Sequence, residues 1–350
     1  MVVLPICFLT TKMLRSTLVV LTFGILLTAQ TAPIHRDWAQ YPAIVQADTN
    51  HSIYVIGDPH ADPGHLAAVL VAAKIIAAVP AQPSAVSWTA GKSVLVFTGD
   101  LIDKGTNSLD VIALVQALQK AAAQAGGRVI ITMGNHEAEF LANPTGEKTA
   151  EFQQELSKAN LNPTDVAACK GDLGLFLCDL PFAVRVNDWF LSHGGNTAGR
   201  TLSQLAADLQ AGVDKDGFQT AQVIGDDSLL EARLGDTPWF EPSRADAQTT
   251  LLAYCKALGV NHIVQGHQPG SLHFADGTKR GKGEMFQRYG LIFLEDTGMS
   301  QGVGDSAGAA LLISPKNQTA NAICSNGTAT VIWDKQSHQA LGSIPPCAAQ

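Results

Sequence analysis

No stretch of the chain forms a basic stripe. Asp and Glu outnumber Lys and Arg 31 to 23, for a formal net charge of −8, and that balance argues against a nucleic-acid partner. Only one apolar run approaches the length of a membrane span, and it lies at the N-terminus. No stable membrane partner is therefore expected beyond a possible N-terminal anchor. No pair of cysteines has C-x-x-C spacing, which disfavours a structural zinc site, and there are no internal repeats to suggest a solenoid. Charged residues make up only 15% of the 350 positions, while Ala and Gly are abundant. Such a chain is long enough to bury the core of one large domain.

The N-terminus reads as an export signal. Lys12 and Arg15 precede the apolar run "LVVLTFGILL" (Leu18 to Leu27), and the small residues of "TAQTAP" follow. Residues 1–32 are read as a signal peptide or N-terminal anchor, and 33–350 as a single domain. The protein is expected to be exported: periplasmic, secreted or otherwise extracytoplasmic. Six cysteines suit that compartment. Cys7 leaves with the signal, Cys169–Cys178 and Cys324–Cys347 are the pairs nearest in sequence, and Cys255 is left free in a helix-like stretch.

Five apolar runs share one design. "SIYVIGD" ends at Asp58, "SVLVFTGD" at Asp100 and "RVIITMGN" at Asn135; "WFLSHGG" passes through His193 and "HIVQGH" reaches His267. Runs rich in Val and Ile suit strands buried on both faces of an α/β sheet. Helix-like segments, 65–79 and 107–125, separate the first three, giving a βαβαβ order and a layered α/β fold. Helical insertions are expected at about 141–180 and 197–260, and "AALLIS" and "ATVIWD" as closing strands. Ligand sites in open α/β sheets lie at the carboxyl ends of strands, where all five polar clusters fall. A glycine beside each cluster (Gly57, Gly99, Gly134, Gly194 and Gly266) is expected to let the backbone turn.

Taken together, Asp58, His60, Asp100, Asn135, His136, His193 and His267 offer carboxylates, an amide oxygen and imidazoles, with no thiolate. Mixed nitrogen and oxygen ligands suit manganese, iron or zinc better than calcium or magnesium. One carboxylate can bridge two cations, and a cation pair about 3.5–4 Å apart is the clamp used in phosphoester hydrolysis. Other residues receive plainer readings. Asp62 either caps the following helix or tunes the neighbouring metal ligands. His65, His262, His273 and Cys255 are structural, and Trp239–Phe240 belong either to a substrate groove or to the core.

"GDPHAD", "GDLIDKG", "GNHE", "HGG" and "GHQ", in that order, resemble the signature blocks of the calcineurin-like metallophosphoesterases. The spacing is similar to that of the phosphoprotein phosphatases, nearest the Shewanella-like protein phosphatase branch, which "LGVNHIVQGHQP" and "LEDTGMS" also echo. The resemblance runs from about Ile53 to Ile313. It implies an α-β-β-α sandwich with a dinuclear metal site at the strand ends, holding two divalent ions, manganese foremost, with iron or zinc as alternatives. Asp58 and His60 would bind the first metal, Asp100 would bridge, and Asn135, His193 and His267 would complete the second site. The resemblance further implies hydrolysis of phosphomonoesters by a metal-bridging hydroxide. His136 would be the general acid and Asp103 the carboxylate that orients it, with Glu137 a buttress of the loop. The substrate class implied is a phosphoprotein or phosphopeptide, on Ser/Thr or Tyr. The alternatives are a nucleotide or dinucleoside-polyphosphate hydrolase on the same site, or a catalytically silent protein that binds a phosphorylated ligand.

The match departs at the phosphate clamp. Lys104 stands where these phosphatases have Arg, and Glu241 stands where a W-x-R pattern would place a second one. A lysine is a point charge on a flexible stem, whereas Arg presents a planar fork. Lys104, Asn135, Arg200 and Arg244 are the candidate substrate-binding residues. Exchanging Lys104 for Arg is expected to lower KM for small phosphate monoesters; steady-state kinetics with KM and kcat both unchanged would contradict a clamp role.

Overall fold

The computed structural model describes Met1 and residues 36–234, 238–241, 247–337 and 339–348. The expected export signal lies outside the described residues. Residues from Pro33 onward form one compact unit, built on two β-sheets packed face to face. The six-stranded sheet runs, edge to edge, through Ala329–Asp334, Thr319–Cys324, Ala309–Ser314, Ile53–Ile56, Val94–Phe97 and Arg128–Ile131. The seven-stranded sheet runs through Ile44–Ala47, Ala183–Val186, Trp189–Ser192, His262–Gln265, Ile292–Leu294, Met285–Arg288 and Leu341–Ile344. Each sheet contains three adjacent parallel strands. They are Ile53–Ile56, Val94–Phe97 and Arg128–Ile131 in one, and Trp189–Ser192, His262–Gln265 and Ile292–Leu294 in the other.

Side chains on a strand alternate between faces, and here both faces are apolar for different reasons. Val55, Val96 and Ile130 meet Leu191, Val264 and Phe293 between the sheets. Ile56, Phe97 and Ile131 point the other way, into a core shared with Leu66 and Leu70 of the helix Pro63–Ala72 and Leu114 and Leu118 of the helix Ser108–Gln124. An unbroken apolar run is what such a doubly covered strand requires. Helices 150–158, 163–167, 171–178 and 202–216 occupy the two long polar stretches between strands. Among the described residues, no helix is long and apolar enough to cross a membrane.

The first helix is shorter than the expected 65–79. It ends at Ala72; Lys74 takes a left-handed backbone (φ 59°), and Ile76 pairs with Trp88 in an isolated bridge. Ile75 and Ile76 are buried, so packing of two β-branched side chains outweighs the helix propensity of the alanines around them. Asp62 caps that helix, accepting from the His65 backbone N–H at 3.0 Å and meeting the His65 ring at 2.7 Å. Both expected disulfides are present, with Cα separations of 5.8 Å for Cys169–Cys178 and 5.5 Å for Cys324–Cys347; Cys255 is free and buried. His262 is a satisfied core imidazole, bonded through Nδ1 to the Gly290 carbonyl and stacked on Trp189.

Phe293 is fully enclosed between the sheets. Phe293→Ala is expected to cost about 3–5 kcal/mol of stability, read as a lower urea midpoint at an unchanged m-value.

Candidate metal centre and active site

The six parallel strands deliver their carboxyl ends to one place. The turns that follow them are strained: Asp58, His60, Asp100 and His267 all have positive φ, at 35°, 37°, 52° and 71°. Non-glycine residues rarely adopt this region, and their clustering marks a site whose geometry is imposed by its surroundings. Of the five glycines expected to supply the turns, only Gly99 has positive φ (106°). After Gly57 and Gly266 it is Asp58 and His267 that carry the turn, while Gly134 makes room for Asp100. A Cβ on Gly134 would lie 2.2 Å from the Asp100 amide nitrogen.

Asp100 Oδ2 lies between two imidazoles, 3.4 Å from His60 Nε2 and 3.3 Å from His193 Nε2. On the second side, His193 Nε2 is 2.9 Å from Asn135 Oδ1 and 3.0 Å from His267 Nδ1, and His267 Nδ1 is 3.1 Å from the same Asn135 oxygen. The remote nitrogens fix the tautomers. His60 Nδ1 donates to the Ile102 carbonyl (3.0 Å) and His193 Nδ1 to the Thr98 carbonyl (2.9 Å), so both Nε2 lone pairs face inward. The Asn135 amide donates to Glu231 Oε2 at 3.4 Å, which turns its oxygen toward the histidines. Burial carries His60 down to about 4, in spite of Asp100, and likewise keeps His267 well below the usual imidazole range. Both are neutral at physiological pH, with a ring nitrogen lone pair to offer a cation.

Asp58 stands slightly apart. Its Oδ2 accepts from the His267 backbone N–H at 2.8 Å, and its Oδ1 is buried with no hydrogen-bond partner. Burial first, then Asp296 and Asp100, push its carboxyl well above the ordinary range. Glu295 and Asp296, which stand in none of the five clusters, are both buried beside Asp58, and Thr98 Oγ1 donates to Glu295. Their signal was present: "LIFLED" is a sixth apolar run ending in acids. The acids and inward-facing lone pairs form two sets of potential cation ligands that share Asp100. One is His60, Asp100 and His136; the other is Asp100, His193 and His267, each with ligand atoms within 4.8 Å of one another. Nitrogen and oxygen donors around buried negative charge fit divalent transition metals.

Glu137 organises these loops. Its carboxylate accepts from the backbone N–H groups of Asp100 (2.9 Å), Leu101 (2.7 Å), Ile102 (3.2 Å) and Gly134 (2.8 Å). His136, next to it, stands at the edge of the first set: Nε2 is 4.0 Å from Asp100 Oδ2, and Nδ1 meets Asp103 Oδ2 at 3.1 Å. Burial opposes its charged form, but Asp100 and the Asp103 hydrogen bond outweigh burial and carry the imidazole up to about 9.

A cavity of about 650 Å³ opens onto His60 and His136 and is lined by Lys104 among others. Of the other candidate substrate residues, Asn135 and Arg200 are not among those that line it. Arg200 is held by the Thr197 carbonyl (2.9 Å) and Asp208 (3.1 Å), and Arg244 lies outside the described residues. Glu241 is buried in an ion pair with Arg288, so that position is spent on the core. Phe240 is core as well, while Trp239 stacks on Tyr254 and packs beside Gly195. Two cations went unnoticed in the sequence. Lys148 lines the cavity, and Arg233 lies close enough to His267 to oppose its protonation. Neither stands beside a signature block.

Comparison with known proteins agrees with this geometry. Residues 51–271 match the family described as calcineurin-like phosphoesterase. An uncharacterized protein of Schizosaccharomyces pombe is 38% identical over 270 residues, covering 74% of each chain. Shewanella-like protein phosphatase 1 of Plasmodium berghei is 31% identical over 240 residues, 63% of this chain and 64% of that protein. Among solved structures, the cold-active protein-tyrosine phosphatase of a psychrophilic Shewanella species superposes with a TM-score of 0.62. It is 19% identical and covers 83% of this chain and 84% of its own. At that identity the likeness speaks for the fold alone.

Glu137→Ala leaves four backbone donors without their acceptor. It is expected to cost about 3 kcal/mol or more in stability and to weaken metal uptake roughly 10–100-fold. Chemical denaturation and metal analysis of dialysed protein measure the two effects.

Proposed function

The chain belongs to the calcineurin-like phosphoesterase family, and from that premise we propose that it hydrolyses phosphomonoesters, with phosphorylated protein or peptide as the substrate class. The observation that carries this reading is Asp100 Oδ2, set between the His60 and His193 imidazoles with the His136–Asp103 pair alongside. Asp58, His60 and Asp100 would hold one divalent cation, and Asp100, Asn135, His193 and His267 a second. The mixed nitrogen and oxygen donors suit manganese, iron or zinc, and manganese is the ion proposed. When bound, such cations neutralise phosphoryl charge and make water more acidic. The remaining work falls to side chains. His136 Nε2 gives its proton to the departing ester oxygen. Asp103 holds the opposite ring nitrogen, keeping that proton on the face that meets the substrate. Lys104 lines the approach and supplies positive charge to the phosphate.

Export is part of the same proposal. The N-terminal charge and apolar pattern supports it, as do two disulfides, which persist in oxidising compartments. Secretion from the native host with loss of the first residues, read by N-terminal sequencing, tests it.

The activity is tested with p-nitrophenyl phosphate, its bis-ester, phosphopeptides and nucleotides, each with Mn²⁺. Turnover of the monoesters is expected; preference for nucleotides would favour the rival hydrolase, and no turnover with any metal would contradict the proposal. His136→Asn is expected to lower kcat on a phosphoserine peptide by roughly 10²–10⁴-fold. The loss on p-nitrophenyl phosphate should be smaller, because that leaving group needs less protonation. The acid form of His136 is the active one, so kcat should fall as pH rises through its pKa. Cations held at Asp100 would offset part of the charge that raises it to about 9, and Asp103→Asn should move the alkaline limb to lower pH. A limb that stays in place would contradict Asp103 as the orienting group.

A further inference from the structure

Lys148 sits on the short 3-10 turn Glu147–Thr149, at the start of the insertion that follows the His136 helix. Its side chain is 73% exposed and its ammonium pairs with Glu139, four residues beyond Asn135. It also lines the cavity that His60, Asp103, Lys104 and His136 share. We propose that Lys148 is a second phosphate-gripping cation, delivered by the insertion to the same cavity as Lys104. The assignment rests on the reading of the cavity as a phosphate-ester site.

Three observations support it. The insertion is firmly seated, so its turn has a defined place. Glu151 accepts from the Gly105 N–H (2.9 Å), Glu155 from the N–H groups of Ser108 and Leu109 (2.8 Å each), and Asp103 Oδ1 from the Phe152 N–H (3.2 Å). The loop that carries Lys104 and the turn that carries Lys148 are thereby fixed to each other through one helix, Ala150–Lys158. Next, a single lysine at position 104 engages fewer phosphoryl oxygens than a guanidinium fork, while Arg200 is committed to Asp208 and Glu241 to Arg288. Among the cavity-lining residues, Lys104 and Lys148 are the cations besides the His136 imidazolium. Finally, the Lys148 side chain is 73% exposed, against 11% for Glu139, so a phosphate dianion arriving at the cavity competes for an ammonium that solvent already reaches.

The test is calorimetric titration of inorganic phosphate into the manganese-loaded full chain. Lys148→Met is expected to weaken binding about tenfold or more, as for loss of a charge-assisted hydrogen bond, and Lys148→Arg to restore most of it. Glu139→Gln frees Lys148 and is expected to leave affinity unchanged or tighter. In kinetics with p-nitrophenyl phosphate, Lys148→Met should raise KM far more than it lowers kcat. Unaltered phosphate affinity in Lys148→Met overturns the assignment. So does an equal loss in Glu139→Gln, which would make the ion pair a structural tie, and so does a wild-type protein that fails to bind millimolar phosphate. Wild-type protein that binds phosphate through Lys148 but cleaves no ester would contradict the enzymatic reading and leave this assignment standing.

Discussion

Buried negative charge at the mouth of two packed sheets is the constraint on which the rest depends. Asp58, Asp100, Asp103, Glu137, Glu295 and Asp296 are all buried there. Arg280, the guanidinium enclosed nearby, gives its hydrogen bonds to backbone carbonyls, including those of Gln268, Gly270 and Asp296. Carboxylates packed this closely in a low-dielectric setting are tolerated only with hydrogen bonds and compensating charge. Glu137 is satisfied by four amide donors and Asp103 by His136 and the Phe152 amide. Asp58 lacks an equivalent set, its Oδ1 having no hydrogen-bond partner, and Asp100 accepts the His136 backbone N–H and otherwise meets imidazoles, those of His60 and His193. A cation pair is the simplest resolution of both facts.

The same constraint explains the backbone. Six parallel strands, three from each sheet, must end within reach of one centre, and the side chains there must point back across the strand ends. That geometry needs left-handed turns at the ligands themselves, at Asp58, His60, Asp100 and His267. It is held by the inter-sheet core, by cross-loop hydrogen bonds such as His60 N–H to the Asp100 carbonyl (2.9 Å), and by Glu137. Strain of this kind persists only where the surroundings over-determine it.

Much of this was legible in the sequence because periodicity and chemistry coincide at the strand ends. Apolar runs closed by Asp, Asn or His announced both the layered α/β fold and the residues Asp58, His60, Asp100, Asn135, His193 and His267, which the structure gathers into one region. The local rules also held for the Asp62 cap. What stayed hidden was set by contacts far apart in the chain. The helix after Asp58 stops early because Ile75 and Ile76 pack tertiary neighbours. Glu231 reaches Asn135 from 96 residues away, and Lys148 enters the cavity only because its insertion docks on the loop after Asp100. Arg200 looked available from its place after "HGGNTAG", but Asp208, one helical face away, claims it.

The central claim is that Asp100 joins two cation sites. Crystals soaked in Mn²⁺ and measured for anomalous scattering at the manganese edge address it most directly. The account predicts two peaks flanking Asp100 Oδ2, about 3.5–4 Å apart, one beside His60 and the other among Asn135, His193 and His267. A single peak away from Asp100, or none at saturating manganese, would contradict it.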